Sequence, residues 1–305
     1  MSIRTAVLLT CLASSIVGCA PFNYVKDDAP KPIANLRPFE PNPNIALVLG
    51  AGGPRGFAHI GVMKMLDEAC IDIDLVVGSS VGSLLGVFWA SGLSAVEIDQ
   101  LSRTGGPLSL FDPTPFADRG WIRGSKLQNF VNDRLENKPL EELPRRVIVV
   151  TTDRTNKETR YITTGNSGVA VRASSAVPGI ISPVGINGVE YEDGDVSAPL
   201  AVTAARAAGA KFVIAVNVYP KPESIPEDAS DKNKSRVIRR ARQIAPQAAL
   251  ADFVIHAETP FYASPRKRFF NASRDVGKQV ALENLAALKI ALQEQGVTID
   301  RFTCN

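Results

Sequence analysis

Short, unbroken apolar runs alternate with longer stretches in which apolar residues recur every three or four positions, and this alternation begins at Ile45. Ile45–Leu49, Leu75–Val77, Val147–Val150 and Phe212–Val218 are too short to be helices, and Asn217 is the one polar residue among them. Strands read this way when both faces of their sheet are covered. Helical periodicity predicts a helix from about Phe57 to Ala69 and a second after Val81 that carries Leu84, Leu85 and Phe88. A third spans Leu200–Ala208 and closes at Gly209. Ser94 and Glu97 form a capping box that opens another helix. A long final helix starts near Ser273 and carries Val276, Val280, Leu285, Leu288 and Leu292. Asn187-Gly188, between Ile186 and Val189, predicts a tight hairpin. Strands alternating with helices imply an α/β fold with a mainly parallel sheet. Ligands of such sheets bind outside the carboxyl ends of the strands, where two glycine-rich turns fall.

The residues before Ile45 follow a different pattern. Arg4, the apolar stretch Ala6–Leu12 and small residues leading to Ile16-Val17-Gly18-Cys19 read as a targeting segment too short to span a bilayer. The Ile-Val-Gly-Cys tetrad resembles a bacterial lipobox, in which the cysteine carries the lipid and becomes the first mature residue. An ordinary secretory signal cleaved nearby is the alternative. Ala20 after the cysteine resembles the outer-membrane sorting pattern, which places the chain on that membrane facing the periplasm. The expected organisation is thus a signal peptide over residues 1–18, a proline-rich tether over 19–44 and a folded domain over 45–305.

Three segments carry candidate chemistry. Gly78-Ser79-Ser80-Val81-Gly82 is a G-x-S-x-G pentapeptide between a valine-rich strand and an apolar helix. That context presents Ser80 Oγ on a sharp turn as a nucleophile; alone, the pentapeptide also fits a serine that merely caps a helix. Gly50-Ala51-Gly52-Gly53-Pro54-Arg55-Gly56 clusters glycines whose N–H groups can converge on an anion. A dinucleotide fingerprint would need a small residue where Arg55 stands and an acid at the end of the next strand, and both are missing. An oxyanion hole built from Gly53, Arg55 or their neighbours is the other reading, with Pro54 unable to donate. Glu192-Asp193-Gly194-Asp195 follows the hairpin; an aspartate in such a turn is commonly structural.

Taken in order, the glycine-rich loop, G-x-S-x-G and Asp-Gly resemble the patatin-like phospholipase family. The resemblance extends through Gly56–Val62 and Arg172–Pro178 and covers roughly Ile45–Val218. It implies a three-layer α/β sandwich with helices on both faces and an acyl hydrolase acting on phospholipid or lysophospholipid through an acyl-enzyme. Ser80 is then the nucleophile, Asp193 its dyad partner, and Gly52, Gly53, Arg55 and Gly56 the oxyanion loop, with no metal or organic cofactor. Ala51 departs from the usual first glycine of that loop. Asp195 stands where glycine or alanine is usual, a second carboxylate able to raise Asp193's pKa.

Composition narrows the alternatives. The chain of 305 residues is 45% hydrophobic and 21% charged, and its formal net charge of +3 is too small to argue for nucleic acid. Only His59 and His256 are available. His59 falls on the helix after the glycine loop and reads as packed core. His256 leaves open an α/β-hydrolase triad of Ser80, Asp193 and His256, since the order fits; a silent lipid-binding lipoprotein is a further rival. Cys70 and Cys304 are too few for a disulfide framework; one bridge between them fits an oxidising compartment, but Cys70 reads first as a buried thiol on an apolar helix. Gly105–Trp121, with Leu108, Leu110, Phe111, Phe116 and Trp121, reads as core under a loop or as an apolar flap. The basic runs Arg236–Arg242 and Arg266–Arg268 read as solvated faces, with anionic membrane as the second reading.

Overall fold

Each central strand sends alternate side chains to opposite faces of one sheet, and both faces are buried. The computed structural model describes residues 22–104, 110–115, 117 and 119–296. The strands are β1 (Asn23–Tyr24), β2 (Ile45–Leu49), β3 (Leu75–Ser79), β4 (Arg146–Asp153), β5 (Thr159–Ile162), β6 (Val184–Ile186), β7 (Val189–Asp193), β8 (Phe212–Asn217) and β9 (Phe253–His256). Their order is β1-β6-β7-β4-β3-β2-β8-β9, with β5 also on β4. Pairing is parallel except where β5 and β7 take part.

Ile45, Leu47, Leu49, Val76, Val147 and Val149 face one cluster, completed by helices α1 (Ala58–Glu68), α2 (Val81–Ala90), α3 (Ala95–Arg103), α5 (Ser167–Ser174) and α8 (Lys267–Glu294). Ala46, Val48, Leu75, Val77, Ile148 and Val150 face the other, under α6 (Val202–Ala207) and α7 (Asp231–Ala248). This two-sided burial is why the strands carry no polar alternation. Helix α4 (Ser125–Arg134) lies outside the predicted set, as do α5 and α7. Among the described residues no helix is long and apolar enough to cross a membrane.

Local signals landed closely. The hairpin joins β6 to β7 with Asn187 at φ 50° and Gly188 at φ 85°, both in the left-handed region that a two-residue turn demands. Ser94 and Glu97 cap α3 reciprocally. The final helix begins at Lys267, six residues before the expected start, because Phe269 and Phe270 are buried and extend its apolar face.

Two expectations need correction. Residues 22–44 are no free tether. β1 pairs with β6, the Tyr24 hydroxyl donates to Asp28 at 2.8 Å, and Asn166 Nδ2 donates to Asp28 at 2.8 Å. Leu36 and Phe39 pack under the second cluster. Proline keeps this segment extended, and a few apolar anchors suffice to lay it along the domain. Cys70 lies in the turn after α1 with φ 56°, half-buried and disulfide-bonded, its partner outside the described residues. It is therefore not a buried thiol. Cys19, Cys304, Leu108 and Phe116 also fall outside the described residues.

Candidate active site

The register along β4 explains how Ser80 and Asp193 meet across more than a hundred residues of sequence. β3 pairs with the first half of β4, ending with Ser79 opposite Val150. β7 continues along the same edge, placing Asp193 opposite Thr151, while β5 occupies the other edge. The residue after Ser79 and the last residue of β7 thus become neighbours. Ser80 Oγ donates to Asp193 Oδ2 at 2.7 Å.

Ser80 holds φ 54° and ψ −123°, a conformation that L-residues avoid. Such backbone costs on the order of 1–3 kcal/mol and persists only where its surroundings over-determine it. Here they do. The Ser80 N–H donates to Ser174 Oγ at 2.9 Å, and Ser174 Oγ donates to the Val150 carbonyl at 2.5 Å. The Ser80 carbonyl accepts from the Ser83 N–H at 2.9 Å and from Ser83 Oγ at 2.6 Å. The flanking glycines answer to close approach: a Cβ on Gly82 would overlap the Leu49 carbonyl, and one on Gly78 would meet the Gly82 and Ser83 backbone.

Asp193 is 1% exposed and fully engaged. Its N–H donates to the Ala176 carbonyl at 3.0 Å, its carbonyl accepts from Thr152 Oγ1 at 2.9 Å, and Oδ1 accepts from the Asp195 N–H at 2.8 Å. Burial raises its pKa well above the carboxylate range, and the Asp195 carboxylate adds to the rise; the hydrogen bonds and Arg240 oppose it. Asp195 is itself held in an ion pair with Arg240 and accepts from the Tyr219 hydroxyl at 2.7 Å. The crowding carboxylate is thus real, but it is partly neutralised and ranks second to burial.

The glycine loop faces the same space. Arg55 N–H donates to the Gly52 carbonyl at 3.2 Å and so closes the turn. Gly53, at φ 53°, has open space where a Cβ would stand and lines a cavity with Ser80. Gly56 lies against Val81, which a Cβ would overlap, so the glycine loop and the Ser80 turn are packed backbone to side chain. The Arg55 guanidinium reaches the Phe261 carbonyl and ties the loop to the segment before α8. The cavity holds about 150 Å³, and Phe57, Leu84, Leu110, Phe111, Leu127 and Phe270 are among its walls. Leu110 and Phe111 of the expected flap are therefore walls of the site.

Neither histidine touches the pair. His59 is fully buried, with Nε2 at 2.8 Å from the Gly50 carbonyl, and burial lowers its pKa to about 4. His256 sits on β9, with β8 and β2 between it and β3, and its Nδ1 lies 3.1 Å from Asn217 Nδ2. Asp153 ends β4, accepts from the Thr155 N–H at 3.0 Å and pairs with Arg160, a structural cap. Ser174, Thr152, Tyr219 and Arg240 escaped sequence reasoning. Ser174 lies inside the Arg172–Pro178 segment, and its serines were the available signal. Arg240 was masked by the surrounding basic run, in which only a helical face distinguishes it.

A family model for patatin-like phospholipase matches residues 47–206, more than half of the chain. The chain belongs to the patatin-like phospholipase family. An uncharacterized NTE family protein of Mycobacterium tuberculosis is 33% identical over 183 residues, covering 58% of this chain and 49% of that protein. Human patatin-like phospholipase domain-containing protein 6 is 35% identical over 187 residues, 59% of this chain and 14% of that protein. The chain thus spans half or less of the length of these relatives. Among solved structures, VipD from Legionella pneumophila shares the fold, with a TM-score of 0.52 and 15% identity over 83% of this chain and 70% of that one.

Proposed function

We propose that this patatin-like chain is a serine hydrolase of phospholipid or lysophospholipid acyl esters, working by a Ser80–Asp193 dyad. The observation that carries the reading is the 2.7 Å hydrogen bond from Ser80 Oγ to Asp193 Oδ2 at the wall of an apolar cavity. Ser80 Oγ attacks the ester carbonyl carbon while Asp193 takes its proton. The resulting oxyanion is held by N–H groups of the loop that contains Gly52, Gly53, Arg55 and Gly56, with Gly53 foremost because Arg55 already spends its N–H on the turn. The tetrahedral intermediate collapses, the alcohol leaves with the proton from Asp193, and the acyl group stays on Ser80. Water deprotonated by Asp193 then releases the fatty acid. A carboxylate near its ordinary pKa of ~4 is a weak base; burial corrects this by raising proton affinity.

The apolar walls suit an acyl chain, and the Yarrowia lipolytica relative, named Lysophospholipase NTE1, is 30% identical over 61% of this chain and 14% of its own length. Lipid on Cys19 would hold the enzyme at the outer membrane, facing the periplasm. Cys19→Ala should shift the protein from the detergent phase to a soluble or precursor form.

The deciding experiment follows fatty-acid release from phospholipids, lysophospholipids and short p-nitrophenyl esters, beside labelling by a fluorophosphonate. Ser80→Ala should abolish both while the protein stays folded, and Ser79→Ala should stay active. Turnover by a folded Ser80→Ala protein would remove the assignment.

A further inference from the structure

The mouth of the Ser80 cavity carries side chains that neither packing nor the dyad accounts for. Val177, Ile181 and Pro265 line the cavity. Ile180, next to Ile181, is 50% exposed, and Trp121, whose N–H donates to the Ile180 carbonyl at 2.9 Å, is 73% exposed. On the other side, Tyr262 is 54% exposed and Pro265 is followed by Arg266, Lys267 and Arg268, all exposed. Among the described residues no side-chain hydrogen bond or ion pair engages these three cations. They also sit at the N-terminus of α8, where the helix dipole disfavours positive charge, so local stability does not explain them. Arg123 and Lys126, close to Trp121 in sequence, are exposed as well. The nearby Asp112 carboxylate is occupied, accepting N–H groups of Gly124 and Ser125 at 2.6 and 2.9 Å.

We propose that this rim is a docking face for anionic phospholipid surfaces: Trp121, Ile180 and Tyr262 enter the interface while Arg266, Lys267, Arg268, Arg123 and Lys126 meet the headgroups. Two things favour a lipid surface as occupant. The patch is continuous with an apolar cavity whose proposed substrate is a membrane lipid, and in this the inference rests on the hydrolase reading. Its pairing of amphipathic aromatics with cations also complements an interface whose outer layer is negative and whose inner layer is apolar. The chain reaches the same side through Phe22, whose ring lies 3.8 Å from the Arg172 guanidinium carbon, while Arg172 Nη2 donates to the Arg123 carbonyl at 2.7 Å.

The two tryptophans make the test clean, since Trp89 is 2% exposed and Trp121 is 73% exposed. The probe is a vesicle of phosphatidylcholine with brominated acyl chains, alone or with phosphatidylglycerol. The protein is the chain from residue 19 onward carrying Cys19→Ala, so that no acyl group contributes, and Ser80→Ala, so that lipid is not consumed. With phosphatidylglycerol present, Trp121 emission should shift to the blue and be quenched, an effect weakened by salt. Neutralising Arg266, Lys267 and Arg268 to Gln should lower vesicle affinity roughly 100-fold, about five-fold per basic residue. In the Ser80 background the same variant should keep its turnover of a soluble p-nitrophenyl ester, which certifies the fold. Arg123→Gln with Lys126→Gln serves if the triple variant does not fold. Absence of vesicle binding, binding without a change in Trp121 emission, or binding indifferent to these charges would each overturn the docking face. Because binding is read without Ser80, failure of the hydrolase assignment leaves this test intact.

Discussion

Two glycine-bearing turns meet at the site and are built on opposite principles. In Gly78–Gly82 both backbone groups of Ser80 are engaged, and the glycines are there because neighbouring backbone leaves no room for a Cβ. In Gly50–Gly56, Gly53 has open space around it and a positive φ, so its glycine serves conformation instead of packing. One turn holds Ser80 in a conformation it would not choose; the other sets Gly53 in the cavity wall, where the proposed mechanism needs a backbone donor. A rigid nucleophile and an unblocked donor are what an acyl-transfer site needs together.

The largest expected effect comes from the carboxylate bonded to Ser80. Asp193→Asn should lower kcat by about 10⁴-fold, the scale of losing an essential base, with folded protein verified by circular dichroism. Its stability should move the other way. The folded pKa of Asp193 is raised, so between ~4 and that value the unfolded chain binds fewer protons and wild-type stability falls as pH rises. Asn carries no such loss, so urea midpoints of the variant should match or exceed wild type above neutral pH.

Alanine at the two turns separates their roles. Gly82→Ala should destabilise by ~2–3 kcal/mol through overlap with the Leu49 carbonyl, seen as a fall in Tm. Gly53→Ala meets no neighbour and should cost only ~1 kcal/mol for its positive φ, yet kcat should fall tenfold or more as the donor turns away. Equal effects on stability would erase the distinction.

The acid limb of the pH–rate profile should lie above the ordinary carboxylate range, because the base must be ionised and burial opposes ionisation. Asp195→Asn removes the neighbouring negative charge and releases Arg240, so the limb should move to lower pH by roughly one unit. An unmoved limb would assign the whole rise to burial. The smallest effect is reserved for His256→Ala, which should keep most of its activity; a ~10⁴-fold loss in folded protein would replace the dyad with a triad.

The motifs and the fold class were legible because each rests on local physics. A buried strand must be apolar throughout, a two-residue hairpin needs positive φ, and a sharp strand-to-helix turn needs glycine. The chain's own order of Gly-rich loop, Ser80 and Asp193 was enough to name the family. Residues 22–44 misled for a related reason: proline content reports stiffness, while docking depends on whether a few side chains such as Tyr24, Leu36 and Phe39 find a surface, which no local window contains.

What only tertiary structure decided is how the pieces combine. β7 succeeding β3 on one edge of β4 brings Asp193 to Ser80 and leaves no histidine between them. Burial, more than the adjacent Asp195, raises the proton affinity of Asp193, because desolvation acts on a carboxylate from every side whereas Asp195 is held by Arg240. Arg240 and Ser174 gain their roles through contacts spanning 45 and 94 residues of chain. Sequence specifies which side chains can bond; only the closed fold sets which of them come within bonding distance, since that is settled by packing between elements far apart along the chain.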